Sequence, residues 1–243
     1  MLSPDSGVLI SWHLVTRLGE AQYLLPAALW ACLALMRHDA TRSLACRWSQ
    51  TLLIATVLTM ASKLAFIGWG LGSAQWNFTG VSGHAMFASA ILPLLVATLT
   101  SRLSAAWQRW AVLLSFVLVI AIGVSRLMVG AHSASEVLAG LLLGSAASAF
   151  AMAHVGLPRE ISNLYLPLVV VVWLLVAPLQ APQFPTHSLV TRLALLLSGH
   201  DKPYTRRDLM HKSLATTGQS DHRPIDFSLA SRGALADRKV QVE

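Results

Sequence analysis

Between Arg47 and Arg102 the chain runs for 54 residues with a single charge, Lys63. A helix that crosses a bilayer needs roughly 20 predominantly apolar residues. The stretch is therefore long enough for two crossings, divided by the glycine-rich GWGLGSAQWNFTGVSG. Charges mark off four further runs: AQYLLPAALWACLALM after Glu20, WAVLLSFVLVIAIGVS after Arg109, VLAGLLLGSAASAFAMAHVGLP after Glu136, and LYLPLVVVVWLLVAPLQA beyond Arg159. Charged residues make up 12% of the chain, about half the share usual in a soluble domain. With no water in the bilayer core to satisfy backbone groups, such runs fold as helices. The expected fold is all-α, a polytopic transmembrane helical bundle of about six spans.

The rest of the chain is organised around those spans. Residues 1–20 form an N-terminal segment whose GVLISWHLVTRLGE (7–20) mixes polar and apolar positions and reads as an interfacial helix. It has no basic, cleavable leader pattern, so the first span is expected to act as an uncleaved insertion signal. Residues 21–182 form the transmembrane domain. Residues 183–243 begin with THSLVTRLALLLSGH (186–200), a candidate amphipathic surface helix, and continue from about residue 200 as a polar tail, most of it weakly ordered. Arg37, Arg42 and Arg47 follow the first run, and Arg102 and Arg109 follow the third. The positive-inside rule makes that side cytoplasmic and the opposite face outer. The net charge is +7, with half of the Lys and Arg beyond residue 190. In a membrane protein this balance points to topology and membrane lipids rather than nucleic acid. Two cysteines, Cys32 and Cys46, make neither a disulfide framework nor a metal-ligand pattern, and Cys32 reads as a small buried hydrophobe. Gly140, Gly144 and Ser148 form a small-xxx-small series, expected to pack inside the bundle.

The polar residues that topology does not explain gather toward the outer face. They are Lys63 late in the second span, Ser82-Gly83-His84 opening the third, Arg126 closing the fourth, and His132 and Glu136 opening the fifth. Each has a plainer reading. Lys63 can snorkel to headgroups, Arg126 can anchor at the interface, Ser82-Gly83-His84 can be a helix start, and His132 can face water. Ser133-Ala134-Ser135-Glu136 matches a capping box, so Glu136 can simply satisfy backbone donors. Together, however, four helix ends deliver polar groups to one layer of a membrane protein, where idle charges are disfavoured. At a spacing of four, His132 and Glu136 share a helix face, and a carboxylate that orients an imidazole makes it a usable nucleophile or base. Free backbone N–H groups at a helix start, together with Lys63 and Arg126, suit a phosphate. Glu136 is expected to be the sole acid on that side, which leaves no carboxylate cluster for Mg²⁺; no metal or other cofactor is expected.

At these residues the chain resembles the type 2 phosphatidic acid phosphatase superfamily, whose motifs run K-x6-R-P, P-S-G-H and S-R-x5-H-x3-D. The third is matched by Ser125-Arg126, His132 and Glu136, and the second by Val81-Ser82-Gly83-His84. Only Lys63 remains of the first, because Gly70 and Leu71 stand at its R-P positions. The similarity covers roughly residues 50–150. It implies metal-independent removal of phosphate from a lipid phosphate or an isoprenoid pyrophosphate at the outer face of a membrane, such as the bacterial inner membrane. By carry-over, His132 attacks phosphorus, Glu136 orients it, and His84 protonates the leaving oxygen and then helps activate water. Lys63, Ser82, Gly83 and Arg126 hold the phosphate oxygens. Three departures stand out: the missing Arg-Pro, Glu for Asp, and Val for Pro. They fit a subfamily with a reshaped first motif, GWGLGSAQWNFTG, in which Trp69, Trp76 and Asn77 help shape the pocket. The alternative is a catalytically weak or inactive protein that binds or moves a phosphorylated lipid.

Overall fold

The structure, a computed structural model, describes residues 12–153, 156–158, 165–180 and 186–211. Every regular element among them is a helix. A short helix over residues 12–17 (α1) turns into α2 (Ala21–Met36), and a tight joint leads to α3 (Asp39–Trp69). Then follow α4 (Gly83–Leu99), α5 (Ala105–Met128), α6 (Ala134–Met152), α7 (Tyr165–Gln180), α8 (Thr186–Ser198) and a last turn-and-a-half over residues 206–211 (α9). The six apolar runs thus map one to one onto α2–α7. By length and composition α3, α5 and α6 are sufficient to cross a membrane, while α2, α4 and α7, at 16, 17 and 16 residues, are shorter apolar helices.

The packing is that of a bundle with its apolar surface turned outward. Leu53, Ile54, Val57 and Leu58 on α3, Leu113, Leu114, Val117 and Ile120 on α5, and Leu138 and Leu142 on α6 are all more than half, or close to half, exposed. Water would penalise these stripes, whereas lipid tails accept them. The centre is α4, which is apolar on every side and buries twelve of its 17 residues. It can be buried so completely because its partner α6 presents small residues. A side chain at Gly144 would collide with Ser89 Oγ and with the backbone of Met86 and Ala90. The Gly140–Gly144–Ser148 face is therefore spent on internal helix contact, as expected. Two large buried polar side chains inside the bundle bond to backbone: Trp48 Nε1 donates to the Ala90 carbonyl at 3.1 Å, and Gln108 Nε2 donates to the Ala97 and Pro158 carbonyls at 2.9 and 2.8 Å. Cys32 is buried, as its apolar surroundings suggested, and Cys46 is exposed.

One expectation is corrected and another is refined. Arg42 and Arg47 do not lie in a loop but on the first turns of α3. At 1.5 Å per residue its 31 residues span about 46 Å, more than the roughly 30 Å of hydrocarbon they must cross. The surplus carries the arginines. The chain beyond residue 200 is also not a free tail throughout. Tyr204 N donates to the Ile67 carbonyl at 2.9 Å, His200 Nδ1 bonds the Gly68 carbonyl at 2.8 Å, and residues 206–211 are helical. The remainder of the expected tail, residues 212–243, lies outside the described residues, as do residues 1–11 of the N-terminal segment.

Candidate active site

The helix ends that the sequence singled out converge at one end of the bundle. The opposite end brings Thr41, Leu44, Ala105, Gln108 and Arg109 around one cleft, near the basic joints. Local chain chemistry explains each position. Ser133 is the N-cap of α6 and forms a complete capping box with Glu136. Just before it, the chain folds back on the end of α5, where Ala131 N and His132 N both donate to the Arg126 carbonyl, at 3.1 and 3.3 Å. The five-residue interval between Arg126 and His132 is thus the length of one turn from a helix end to the next N-cap. Ser82 N donates to the Glu136 carbonyl at 3.1 Å, which ties the start of α4 to the start of α6.

Glu136 is fully buried and serves both roles that the sequence left open. Its Oε2 accepts from Ser133 N at 3.1 Å and from His132 Nδ1 at 2.7 Å. Its Oε1 accepts from Thr79 N at 2.8 Å, Thr79 Oγ1 at 2.5 Å and Arg206 Nη2 at 2.8 Å. Five donors around one carboxyl group leave it no hydrogen to give, so it sits as a carboxylate. An ionised carboxylate only accepts, so His132 Nδ1 carries the ring hydrogen and Nε2 is left with its lone pair. Burial holds the His132 pKa below the ordinary histidine value; the Lys63 and Arg126 charges act the same way, against the pull of Glu136. The imidazole is therefore neutral at neutral pH, the form a nucleophile needs.

The remaining predicted residues surround this dyad. Lys63 runs from α3 toward the second motif, with Nζ 3.7 Å from the point where a Cβ at Gly83 would lie. The charges of Lys63 and Arg126 act on both His84 and His132, and the two histidines act on each other. Arg126 lies in the last turn of α5, where the helix dipole favours a cation. Its Nη1 donates to Thr16 Oγ1 on α1 at 2.8 Å. Ser82 occupies the N-cap of α4, yet its hydroxyl caps nothing. Ser82 Oγ and Arg126 Nε are both buried without a hydrogen-bond partner. Buried polar groups are seldom left so, and a hydroxyl and a guanidinium N–H are donors of the kind an oxyanion accepts from.

Other groups escaped the sequence reading. Thr79 lay inside the quoted GWGLGSAQWNFTG but carried no motif signal. Thr16 and Arg206 sit far from the motifs in sequence, and no spacing rule reaches them. Glu136 is not the sole acid at this end: Glu20, at the turn into α2, is close enough for its charge to act on Arg126, and burial raises its pKa. Among the described residues, no three His, Cys, Asp or Glu side chains come together as a metal-ion ligand set. Of the three residues expected to shape the pocket, Asn77 faces Arg206, whereas Trp76 contributes its carbonyl, accepting from Ser135 Oγ at 2.7 Å, and leaves its ring exposed. Trp69 ends α3 with 46% of its surface exposed.

The model of the PAP2 superfamily matches residues 7–159. The match begins well before the motifs and takes in α1 and α2, in keeping with the Thr16–Arg126 bond. A relative from Klebsiella pneumoniae, an uncharacterized 22.5 kDa protein in the cps region, is 37% identical over 207 residues, covering 84% of this chain and 99% of its own. No solved structure matches the chain.

Proposed function

The chain belongs to the PAP2 superfamily, and on that footing we propose that it is an integral membrane phosphatase that hydrolyses a lipid phosphate or an isoprenoid pyrophosphate through a phosphohistidine. The observation that carries this reading is His132 held by Glu136 through Nδ1, so that Nε2 bears the lone pair, at the same end of the bundle as the unpartnered Ser82 Oγ and Arg126 Nε.

In the proposed reaction, Lys63, Arg126, Ser82 Oγ and the backbone N–H of Gly83 hold the non-bridging phosphate oxygens. His132 Nε2 attacks phosphorus in line with the ester oxygen. The N–P bond forms as the P–O bond breaks, and His84, which takes up a proton from solvent when the phosphate dianion binds, delivers it to the departing alkoxide. His84, now neutral, takes a proton from water as the water oxygen attacks the phosphohistidine. Inorganic phosphate leaves and His132 is restored. Clamping of the equatorial oxygens by fixed cations and donors is the main source of acceleration in such a transfer. The arginine-rich starts of α3 and α5 support a cytoplasmic assignment for that end, with the site on the outer, periplasmic face of a bacterial inner membrane.

The test is phosphate release from a panel of lipid phosphates and isoprenoid pyrophosphates by detergent-solubilised protein with EDTA present. Wild type releases phosphate from at least one substrate, and His132→Ala abolishes it. Binding without release by wild type would replace the enzyme with a carrier of phosphorylated lipid, and full release by His132→Ala would overturn the nucleophile.

A further inference from the structure

Outside the family match, the C-terminal segment reaches the site by a defined route. Gly70 closes α3 in the left-handed conformation, φ 68°, and a Cβ there would lie 2.9 Å from the Tyr204 ring. The absence of a side chain at position 70 lets Tyr204 sit on the helix end, where its backbone N–H bonds the Ile67 carbonyl. His200 is fixed beside it, with its ring edge-on to that of Tyr204. Thr205 N and Oγ1 then both donate to Asp208 Oδ2, at 2.8 and 2.7 Å, which starts α9 immediately after the seat.

Arg206 is the residue this seating delivers. Its Nη1 donates to Asn77 Oδ1 at 2.7 Å and to the Asn77 carbonyl at 3.3 Å. Its Nη2 donates to Glu136 Oε1 at 2.8 Å and to Thr79 Oγ1 at 3.3 Å. Asn77 takes a left-handed conformation, φ 49°, at the tip of the α3–α4 connection, where Ser73 and Phe78 pair. One planar guanidinium therefore spans the connection and the carboxylate, a task its fixed fork suits and an ammonium does not.

We propose that Arg206 is a positioning residue of this site: it pins Glu136 Oε1 so that Oε2 stays on His132, and it couples the C-terminal segment to the reactivity of the nucleophile. The proposal rests on the phosphatase reading for its kinetic consequence but not for the coupling itself. The charged and titratable groups around His132 are Lys63 from α3, His84 from α4, Arg126 from α5, Glu136 from α6 and Arg206 from α9. Removing the Arg206 charge alone leaves Glu136 less compensated and so favours the imidazolium of His132.

The experiment follows His132 by NMR in histidine-labelled, full-length protein in micelles, with its signal assigned by loss in His132→Ala. Arg206→Gln is expected to raise the His132 midpoint by about one pH unit, and Arg206→Lys to keep it close to wild type. In turnover, the acid limb moves up with the midpoint, and kcat falls by about 10- to 100-fold with KM little changed. An unchanged midpoint in Arg206→Gln overturns the proposal, even if the variant is less stable. Should Arg206→Gln not fold, Arg206→Lys reads the same contact: kcat falls severalfold at constant KM, and a wild-type kcat overturns the proposal. A shifted midpoint in a protein whose wild type releases no phosphate sinks the phosphatase reading and leaves the coupling standing.

Discussion

The two oxygens of Glu136 serve different partners, and each half can be tested separately. Oε2 orients His132, so Glu136→Gln removes the charge that fixes the ring tautomer while keeping the size of the group. Turnover is expected to fall by roughly 10²–10⁴-fold, with helix content unchanged by circular dichroism; a smaller loss would reduce Glu136 to its capping role. The state of His132 gives a second prediction. Burial lowers its pKa, so the reactive neutral form persists as pH falls below the ordinary histidine value of about 6.5. It is lost only when pH drops through the lowered value. The acid limb of kcat/KM is expected below pH ~6.5, and a midpoint above that would show that burial does not govern the group. Lys63, Ser82, Gly83, His84, Arg126, His132 and Glu136 were all legible in the sequence, because short motifs at helix ends have fixed spacings. Thr16, Thr79 and Arg206 were not, because a hydrogen bond between residues 57 to 110 positions apart leaves no local pattern.

Among the elements, α4 and α6 set the geometry. Their approach places Ser82 N on the Glu136 carbonyl, so any change in their spacing moves the second motif against the third. Gly144→Val forces a side chain into the α4 backbone. Overpacking of this kind destabilises by about 1–3 kcal/mol, and the melting temperature in detergent is expected to fall by several degrees together with activity. Leu142→Ala is the control, since Leu142 is 62% exposed on the lipid side of the same helix; its melting temperature should stay near that of wild type. If Gly144→Val melts like the control, α6 does not approach α4 as closely as described. All six apolar helices could be read from charge punctuation alone. Their boundaries were less legible: α3 continues through Arg42 and Arg47, because a helix longer than the bilayer can carry its own interfacial cations. The order of residues 200–211 was not legible, because charges of both signs resemble a solvated tail until their individual partners are known.

For the whole molecule, the outward assignment of the site is directly measurable at the exposed connection between α3 and α4. In a protein with Cys32 and Cys46 replaced by serine, Gln75→Cys is expected to react with a membrane-impermeant maleimide added to intact cells. Ser104→Cys, at the opposite end, should react only after lysis. The reverse pattern overturns the outward assignment of the site. The seating of Arg206 on Glu136 also has a consequence in time. Arg206 emerges 70 residues after the carboxylate it holds. At roughly 5–20 residues per second, about 4–14 s of synthesis separate them. Through that interval both histidines and the first four apolar helices already exist, but the dyad lacks its last fastening. A message cut short after α7 would therefore leave the carboxylate beside the nucleophile with four of its five donors and without its one cation.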